Sequence, residues 1–372
     1  MEDVFRFADD LGPFQIVHIH RPAIGLKAVV AIDNIACGPS LGGVRMAPDV
    51  SAEEAFRLAR AMTLKNAAAG LPFGGGKAAI FGDPKAEPRI KEQQIRAFAA
   101  SIADLTDYIP GPDMGTDERA MAWIKDETGR AVGLPRELGG IPLDEIGATG
   151  FGLAIATEVA REYLGFDLKG ARLAVQGFGS VGKHAARFLA ERGVVLVAAS
   201  DSQGTLQDPS GLDIAQLAAL KESGQPLHVH SGGRKLPVDA ILDVDCDIWI
   251  PAARPDVIQA GNAGRLRAKL MVQGANIPCT AEAEAALAGR GILIIPDFIA
   301  NAGGVICGAS EYAGGTQASA FAAIEEKIRA NTRVVLEEAR RDRILPRQAA
   351  RRVAERRVRA AMALRRWEGG TP

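Results

Sequence analysis

The chain has 372 residues, 47% hydrophobic and 24% charged, which is material for two ordinary globular cores, and its formal net charge of −1 gives no field to draw nucleic acid or an anionic membrane. The four cysteines, Cys37, Cys246, Cys279 and Cys307, form no C-x-x-C pair, a usage that suits free thiols in a reducing compartment. The acidic opening Met1-Glu2-Asp3 leads into no apolar signal core and no run of about 18 apolar residues follows, so a cytoplasmic protein that engages neither membrane nor nucleic acid is expected.

Residues 24–34 (IGLKAVVAIDN) are β-branched and apolar and read as a strand. A helix is expected from Ser51 to about Ala69. Ser51 and Glu54 have capping-box spacing, Ala55, Leu58, Ala59 and Met62 form an apolar stripe, and Gly70 is a C-terminal stop. LPFGGGKAAIFGDP reads as a glycine-rich turn entering a short strand, and 108–116 (YIPGPDMGT) as a loop before another helix. The character changes near residue 148. Helix 151–164, strand 171–176, helix 182–192 and strand 194–199 come in succession, with further strands at 246–250, 269–273 and 291–295. Such alternation predicts a parallel sheet covered on both faces. Amphipathic helices over about 318–342 and 346–367 are expected to pack back on the first domain. No internal repeat or low-complexity tract is present.

The strand ARLAVQ runs into Gly177-Phe178-Gly179-Ser180-Val181-Gly182 and then a helix. This is the context that turns a weak G-x-G-x-x-G pattern into a dinucleotide fingerprint: a tight turn, backbone close to the pyrophosphate, and helix N-terminal amides aimed at it. The second strand ends at Asp201, slightly beyond the usual spacing of about 20 residues for the carboxylate that bonds the ribose hydroxyls. No Arg or Lys immediately follows it to welcome a 2′-phosphate, which favours NAD over NADP; the other reading of Asp201 is a turn residue.

In the first domain Lys65 ends the capped helix and Lys77 follows three glycines in an apolar stretch. Burial would lower the pKa of such a lysine and fit it to polarise a carbonyl or handle a proton. A phosphate-contacting or surface lysine is the other reading of the pattern. Asp113, in PGPDMGT, is either a carboxylate held near those ammonium groups or a simple turn residue. His18-x-His20 and His228-x-His230 share strand faces, but no carboxylate or cysteine completes a ligand set, and no metal is expected. The arginine-rich C-terminal segment (Arg351 to Arg366) reads as a solvated or subunit-contacting helix.

MTLKNAAAGLPFGGGKAAIFGDP, IPGPDMGTDERAMAW, AVQGFGSVGKHAARFLAERG and IPDFIANAGGVICGASEY together resemble the glutamate/leucine/phenylalanine/valine dehydrogenase family, over about residues 24–315 and in the family's order. The resemblance implies an α/β protein of two domains with a cleft between them. An N-terminal α/β substrate-binding and oligomerisation domain (1–147) precedes a Rossmann-type doubly wound dinucleotide-binding domain (148–330), and C-terminal helices (331–372) return to the first. It implies that Lys65 binds the substrate α-carboxylate, that Lys77 is a low-pKa lysine polarising the 2-oxo group or activating water, and that Asp113 is the general acid/base for the amino group. Leu41, Gly42, Gly75, Gly111, Asn301, Val305 and Gly308 match substrate-side positions. Thr149, Ala252, Ala275 and Asn276 match positions around the coenzyme. The implied reaction takes a hydride from the amino-acid α-carbon to NAD, leaves an iminium, adds water with Lys77 and releases ammonia as the 2-oxo acid forms. A homo-oligomer is also implied.

Glutamate members of the family carry a lysine before the GGxR motif to grip the side-chain carboxylate; here Leu41 stands there, and an unpaired buried carboxylate is costly. Gly308 likewise replaces their serine. Gly111 and Gly308 both remove bulk relative to leucine-type members, so a large apolar or aromatic substrate is expected, although a methyl group or two is worth only about 1–3 kcal/mol of discrimination. Branched-chain and glutamate dehydrogenases are the rivals within the family. Outside it stand a hydroxy-acid enzyme, which would need no ammonia in the reductive direction, and a catalytically silent coenzyme-binding regulator.

Overall fold

The structure, a computed structural model, describes residues 5–366; the Met1-Glu2-Asp3 opening and the end of the expected last helix, from residue 367, lie outside the described residues. In chain order the first elements are β1 (Gln15–Arg21), β2 (Leu26–Asn34), β3 (Ser40–Ala47), α1 (Ala52–Ala68), β4 (Gly74–Phe81), α2 (Pro88–Ser101), β5 (Tyr108–Pro112) and α3 (Glu118–Thr128). There follow α4 (Leu143–Ile146), α5 (Ala148–Leu164), β6 (Arg172–Gln176), α6 (Ser180–Ala190), β7 (Val195–Ser200), β8 (Thr205–Gln207), α7 (Ile214–Glu222) and β9 (Arg234–Leu236). The chain ends through β10 (Ile248–Pro251), β11 (Leu270–Val272), α8 (Ala281–Gly289), β12 (Leu293–Ile295), α9 (Asp297–Ala300), α10 (Gly303–Tyr312), α11 (Gln317–Asp342) and α12 (Pro346–Met362). Two compact units result. One comprises the described residues up to Pro142, Val305–Ala320 and those from Arg351 on; the other comprises Leu143–Gly304 and Phe321–Ala350.

The first unit is built on a five-stranded mixed sheet in the order β1-β2-β4-β3-β5. β1 and β4 run antiparallel to β2, whereas β3 is parallel to both β4 and β5. Strand alternation sends Leu26, Val30, Val44, Met46 and Ile80 into a core with Ile95 and Phe98 of α2, Ile102 just after it, and Met121 and Ile124 of α3. The opposite face packs Val29, Ala31 and Ala79 on Ala55 and Ala59 of α1. That helix starts as its sequence requires: the Ser51 side chain accepts a hydrogen bond from the Glu54 amide at 3.0 Å.

Two segments differ from the sequence expectation. Gly74-Gly75-Gly76 are not a turn but the opening of β4, because neighbours occupy the space where side chains would sit. A Cβ on Gly75 would stand 2.1 Å from the Thr63 amide nitrogen of α1, and one on Gly76 2.8 Å from the Ser40 hydroxyl. Tyr108–Pro112, expected as loop, is strand β5. It lies at the sheet edge, where Pro110 and Pro112 need no amide donor on the open side.

The second unit holds a seven-stranded sheet in the order β12-β11-β10-β6-β7-β8-β9. The five strands from β12 to β7 are parallel, and β8 and β9 extend the sheet antiparallel. β10 and β11 are buried throughout, as strands covered on both faces must be. The chain winds outward from β6 through β7 and returns to the other side of β6 as β10, the Rossmann-type switch in strand order. Of the two C-terminal helices expected on the first domain, Phe321–Ala350 instead belong to the second unit. There Phe321 stacks edge-on against Phe151 (4.8 Å) and Arg329 pairs with Glu158 (3.1 Å). Residues from Arg351 belong to the first unit, where Arg357 donates to the Ala67 and Leu71 carbonyls, each at 2.9 Å. No helix among the described residues is long and apolar enough to cross a membrane.

Candidate active site

Lys77 stands on β4 in register with Ala31, and alternation turns it to the face shared with Ala79 and α1. Only 5% of it is exposed. Its Nζ lies 2.9 Å from Oδ2 of Asp113, and Arg45 Nε donates to the same oxygen at 2.8 Å. Arg45 in turn pairs with Glu54. The result is an alternating chain, Lys77–Asp113–Arg45–Glu54. Burial pulls the Lys77 ammonium below its usual pKa, against the Asp113 charge that raises it. Burial pushes Asp113 up, but Lys77 and Arg45 outweigh it and hold the carboxyl below the usual range.

The PDMGT loop is tied from within. The Asp113 amide donates to the Thr116 hydroxyl at 3.0 Å, and that hydroxyl donates to the Val44 carbonyl at 2.7 Å. Gly43 lets the parts approach, since a Cβ there would sit 2.7 Å from Asp113 Cβ and 3.1 Å from Lys77 Nζ. Sequence reading singled out Lys77 and Asp113 but missed Arg45, Glu54 and Gly43. The signal for two of them was present in the Gly42-Gly43-Val44-Arg45 run; Glu54 was read only as a helix cap.

Lys65 is half-buried in the last turn of α1, and the neighbouring Asn66 donates to the Gly74 carbonyl at 2.6 Å. Leu41 is buried and in register with Gly75. A Cβ on Gly42 would fall 1.6 Å from the Gly76 carbonyl, which explains that glycine by packing alone. Gly111 and Gly308 are brought together by a residue that sequence reading did not single out. A Cβ on Gly111 would lie 3.1 Å from Val132 Cγ2, and one on Gly308 3.6 Å from the same atom. The space expected from the two glycines is thus shared by the Val132 side chain. Val305, half-buried, lies three residues before Gly308 on α10.

In the second unit the fingerprint forms the β6–α6 junction. Gly177 has φ +89°, and a Cβ on it would stand 2.8 Å from the Ala252 and Ala253 backbone, closer than any side chain allows. Gly182 packs on the Gly177 carbonyl, and Phe178 is fully buried. No side chain caps α6 at Gly179, and a Cβ there would meet no atom within 4 Å, so no side chain of the cap residue satisfies or screens the start of the helix. The Pro251 carbonyl at the end of β10 accepts from the Gly274 and Ala275 amides, and the Ala252 amide donates to Gln176. These bonds set Ala252 and Ala275 beside the glycine turn. Asn301 Nδ2 donates to the Asn276 side chain (2.9 Å) and the Gly274 carbonyl (3.2 Å). Gly304, three residues on, packs on Thr149, where a Cβ would be 3.1 Å from Oγ1. Asn301 Oδ1 and Gln176 Oε1 are buried acceptors without a hydrogen-bond partner among the described residues. A helix start without a side-chain cap, a glycine turn and unpartnered buried acceptors fit a bound dinucleotide.

Asp201 follows β7 as expected, but its carboxylate is engaged. Oδ2 accepts from the Leu227 amide (2.8 Å) and Lys221 Nζ (3.0 Å), and Oδ1 from the Gln203 amide (2.9 Å). Burial raises its pKa, and these donors outweigh that to hold it below the usual range. α7 thus brings a cation to Asp201 that does not follow it in sequence, and Lys221 is engaged by the carboxylate itself. No group of three or more His, Cys, Asp and Glu among the described residues is placed to hold a metal.

Residues 139–366 match the family described as Glutamate/Leucine/Phenylalanine/Valine dehydrogenase, and 14–130 match the Glu/Leu/Phe/Val dehydrogenase dimerisation domain. The chain is 40% identical over 357 residues to the glutamate dehydrogenase of Aeropyrum pernix, covering 90% of this chain and 85% of that protein. It is 40% identical over 299 residues to the NADP-specific glutamate dehydrogenase of Saccharolobus shibatae, covering 75% and 69%. Its fold matches that of the hetero-hexameric glutamate dehydrogenase from Thermus thermophilus in a Leu-bound form, with a TM-score of 0.85, 30% identity and coverage of 97% and 91%. The chain belongs to the Glu/Leu/Phe/Val dehydrogenase family and is an NAD(P)-dependent amino-acid dehydrogenase.

Proposed function

We propose that this dehydrogenase acts on an L-amino acid with an apolar aliphatic side chain, of about leucine or valine size, and prefers NAD. The observation that carries this is the character of the positions expected around the substrate side chain. Leu41, Gly111, Val132, Val305 and Gly308 offer neither charge nor a hydrogen-bonding side chain, so a γ-carboxylate buried there would lose its hydration without return. Val132 takes up the room that Gly111 and Gly308 release, which favours a branched aliphatic side chain over the aromatic one expected from the glycines alone.

In this reading the first unit binds the amino acid and the second binds the coenzyme. Lys65 pairs with the α-carboxylate. Asp113 keeps both its cations on Oδ2, leaving Oδ1 for the substrate amine, to and from which it passes the proton. Lys77, with its pKa depressed by burial, is the amine that draws a proton from the attacking water and stabilises charge growing on the 2-oxo oxygen. Arg45, anchored by Glu54, fixes the Asp113 carboxylate. When bound, the nicotinamide supplies the hydride acceptor. Thr149, Asn276 and Asn301 would hold its ring end, and the Gly177–Gly182 turn would hold the pyrophosphate. Asp201 would take the ribose hydroxyls, and Lys221, charge-paired with it, is not free for a 2′-phosphate. The match to a dimerisation domain supports a homo-oligomer assembled through the first unit.

The relatives named as glutamate dehydrogenases favour a second reading, glutamate. The test is reduced-coenzyme formation over a panel of L-amino acids with NAD and NADP in parallel. Leucine or valine with NAD is expected to lead. A lead by glutamate would overturn the apolar-pocket reading, and a lead by phenylalanine would overturn the role given to Val132.

A further inference from the structure

The loop that follows Gly274 carries an anomaly. Ile277 has φ +48°, in the left-handed region, although it is β-branched and precedes Pro278, two properties that each disfavour that conformation. Its side chain is 48% exposed, so burial does not offset the cost. Two backbone tethers hold it. Its amide donates to Asp297 Oδ2 at 2.9 Å, and its carbonyl accepts from the Asp256 amide at 2.9 Å. Asp297, 5% exposed, is ion-paired with Arg347, whose Nη1 is 2.9 Å from Oδ1 without the alignment of a hydrogen bond, and its own amide donates to Gln273 Oε1 at 3.1 Å. Arg347 also bonds both oxygens of buried Glu284 (Nε at 2.9 and 2.8 Å) and Gln273 Oε1 (2.7 Å), and its guanidinium lies 5.8 Å from the Phe298 ring centre. On its other side, Asp297 accepts the Asn301 amide on its backbone carbonyl at 2.7 Å. Asp297 therefore touches both asparagine segments, Ile277 next to Asn276 and the backbone of Asn301 itself.

We propose that Asp297, locked by Arg347, is a positioning residue that clamps Ile277 in its left-handed bend and so presents the Asn276–Asn301 pair to the nicotinamide end of the coenzyme. The proposal rests on the coenzyme reading of the second unit. A backbone strained at one residue persists only where its surroundings over-determine it, and such residues gather at ligand sites because the strain fixes one geometry before the ligand arrives. Releasing the clamp lets Ile277 relax and turns Asn276 away.

The test uses the full chain with three changes: Asp297→Ala, Ile277→Gly and the two together. Alanine at 297 leaves Arg347 paired with Glu284, whereas removing Arg347 would strand two buried carboxylates. Coenzyme affinity is read by titration of NADH fluorescence, KM is measured for coenzyme and for amino acid, and folding is followed by thermal melting. Asp297→Ala is expected to raise the coenzyme Kd and KM about tenfold while the amino-acid KM moves less than about twofold. Adding Ile277→Gly is expected to restore affinity to within about threefold of wild type, since glycine adopts positive φ without a tether. Wild-type coenzyme affinity in folded Asp297→Ala, or no rescue by glycine, overturns the proposal. Where alanine unfolds the domain, Asp297→Asn keeps the volume and removes the charge, and its amide nitrogen faces a donor, Arg347 or the Ile277 amide, where an oxygen stood. An increase in coenzyme Kd of about threefold is then expected, and none refutes the clamp. Absence of saturable NADH binding by the wild type would overturn the coenzyme reading itself and the clamp with it, whereas normal wild-type binding with an unchanged variant overturns the clamp alone.

Discussion

Replacing Val132 by alanine tests the substrate reading most directly. The side chain is 5% exposed and its Cγ2 is the atom nearest to where both Gly111 and Gly308 would carry a Cβ. Alanine removes two methyl carbons at this point. At about 0.8 kcal/mol for each buried carbon, a larger substrate that fills the space gains roughly 1.5 kcal/mol, or about tenfold in kcat/KM. A smaller substrate gains nothing and leaves a cavity. The protein is expected to lose about 1–2 kcal/mol of stability, readable as a modest fall in Tm. The assay is kcat/KM for valine, leucine, phenylalanine and glutamate at saturating NAD. The phenylalanine-to-leucine ratio should rise about tenfold while glutamate stays poor, because no cation has been introduced. A ratio within about twofold of wild type, in a variant that melts cooperatively, would refute the placement of Val132 in the pocket.

Lys77→Met should lower kcat by about 10²–10⁴ without preventing folding, checked by steady-state kinetics and melting; near-normal turnover would remove Lys77 from the mechanism. Because burial depresses the Lys77 pKa, the rate of oxidative deamination should climb with pH and level off below the ordinary lysine value of 10.5, measured as a pH profile of kcat/KM. Asp113 has a stability signature at the acid end. With its folded pKa depressed, its stabilising contribution is complete above the unfolded value of 3.8 and is lost as pH falls through the depressed value, so Asp113→Asn should flatten the acid limb of Tm against pH. Gly43→Ala should cut kcat at least about a hundredfold, since its Cβ would stand 2.7 Å from Asp113 Cβ; unchanged kcat would show that the cluster tolerates displacement. Asp201→Ala should free Lys221 for a 2′-phosphate and raise the NADP-to-NAD ratio of kcat/KM about tenfold; a ratio that stays put would place the ribose elsewhere.

The parallel sheet of the second unit was legible because its strands and helices alternate with unlike periods, and the capped helix α1 because Ser51 and Glu54 mark its start. The glycine run before Lys77 and the Pro-rich Tyr108–Pro112 stretch were not legible as strands. Their glycines and prolines report what a neighbour or a sheet edge permits, which local pattern cannot convey. The short strands β8 and β9 have three residues each, too few to show alternation. Lys77 and Asp113 stood out by their settings. Arg45 and Glu54 did not, because an ion pair between β3 and α1 exists only after folding. Val132 carried no signal at all: an isolated valine is indistinguishable from core until Gly111 and Gly308 are seen to meet it. Lys221 likewise reaches Asp201 only through the packing of α7.

The glycines around Lys77 divide the first unit into positions that natural variation can explore and positions it cannot. At Gly42, Gly74 and Gly75 any side chain would collide with main-chain atoms, at 1.6, 1.7 and 2.1 Å, and a backbone has nowhere to go. At Gly111 and Gly308 the nearest obstacle is the end of one side chain, at 3.1 and 3.6 Å, and a side chain can be exchanged. On the proposed function, a lineage built on this scaffold could change its amino-acid diet by drift at three mutually compensating sites, one of them Val132, while the glycines around Lys77 stay walled in by backbone.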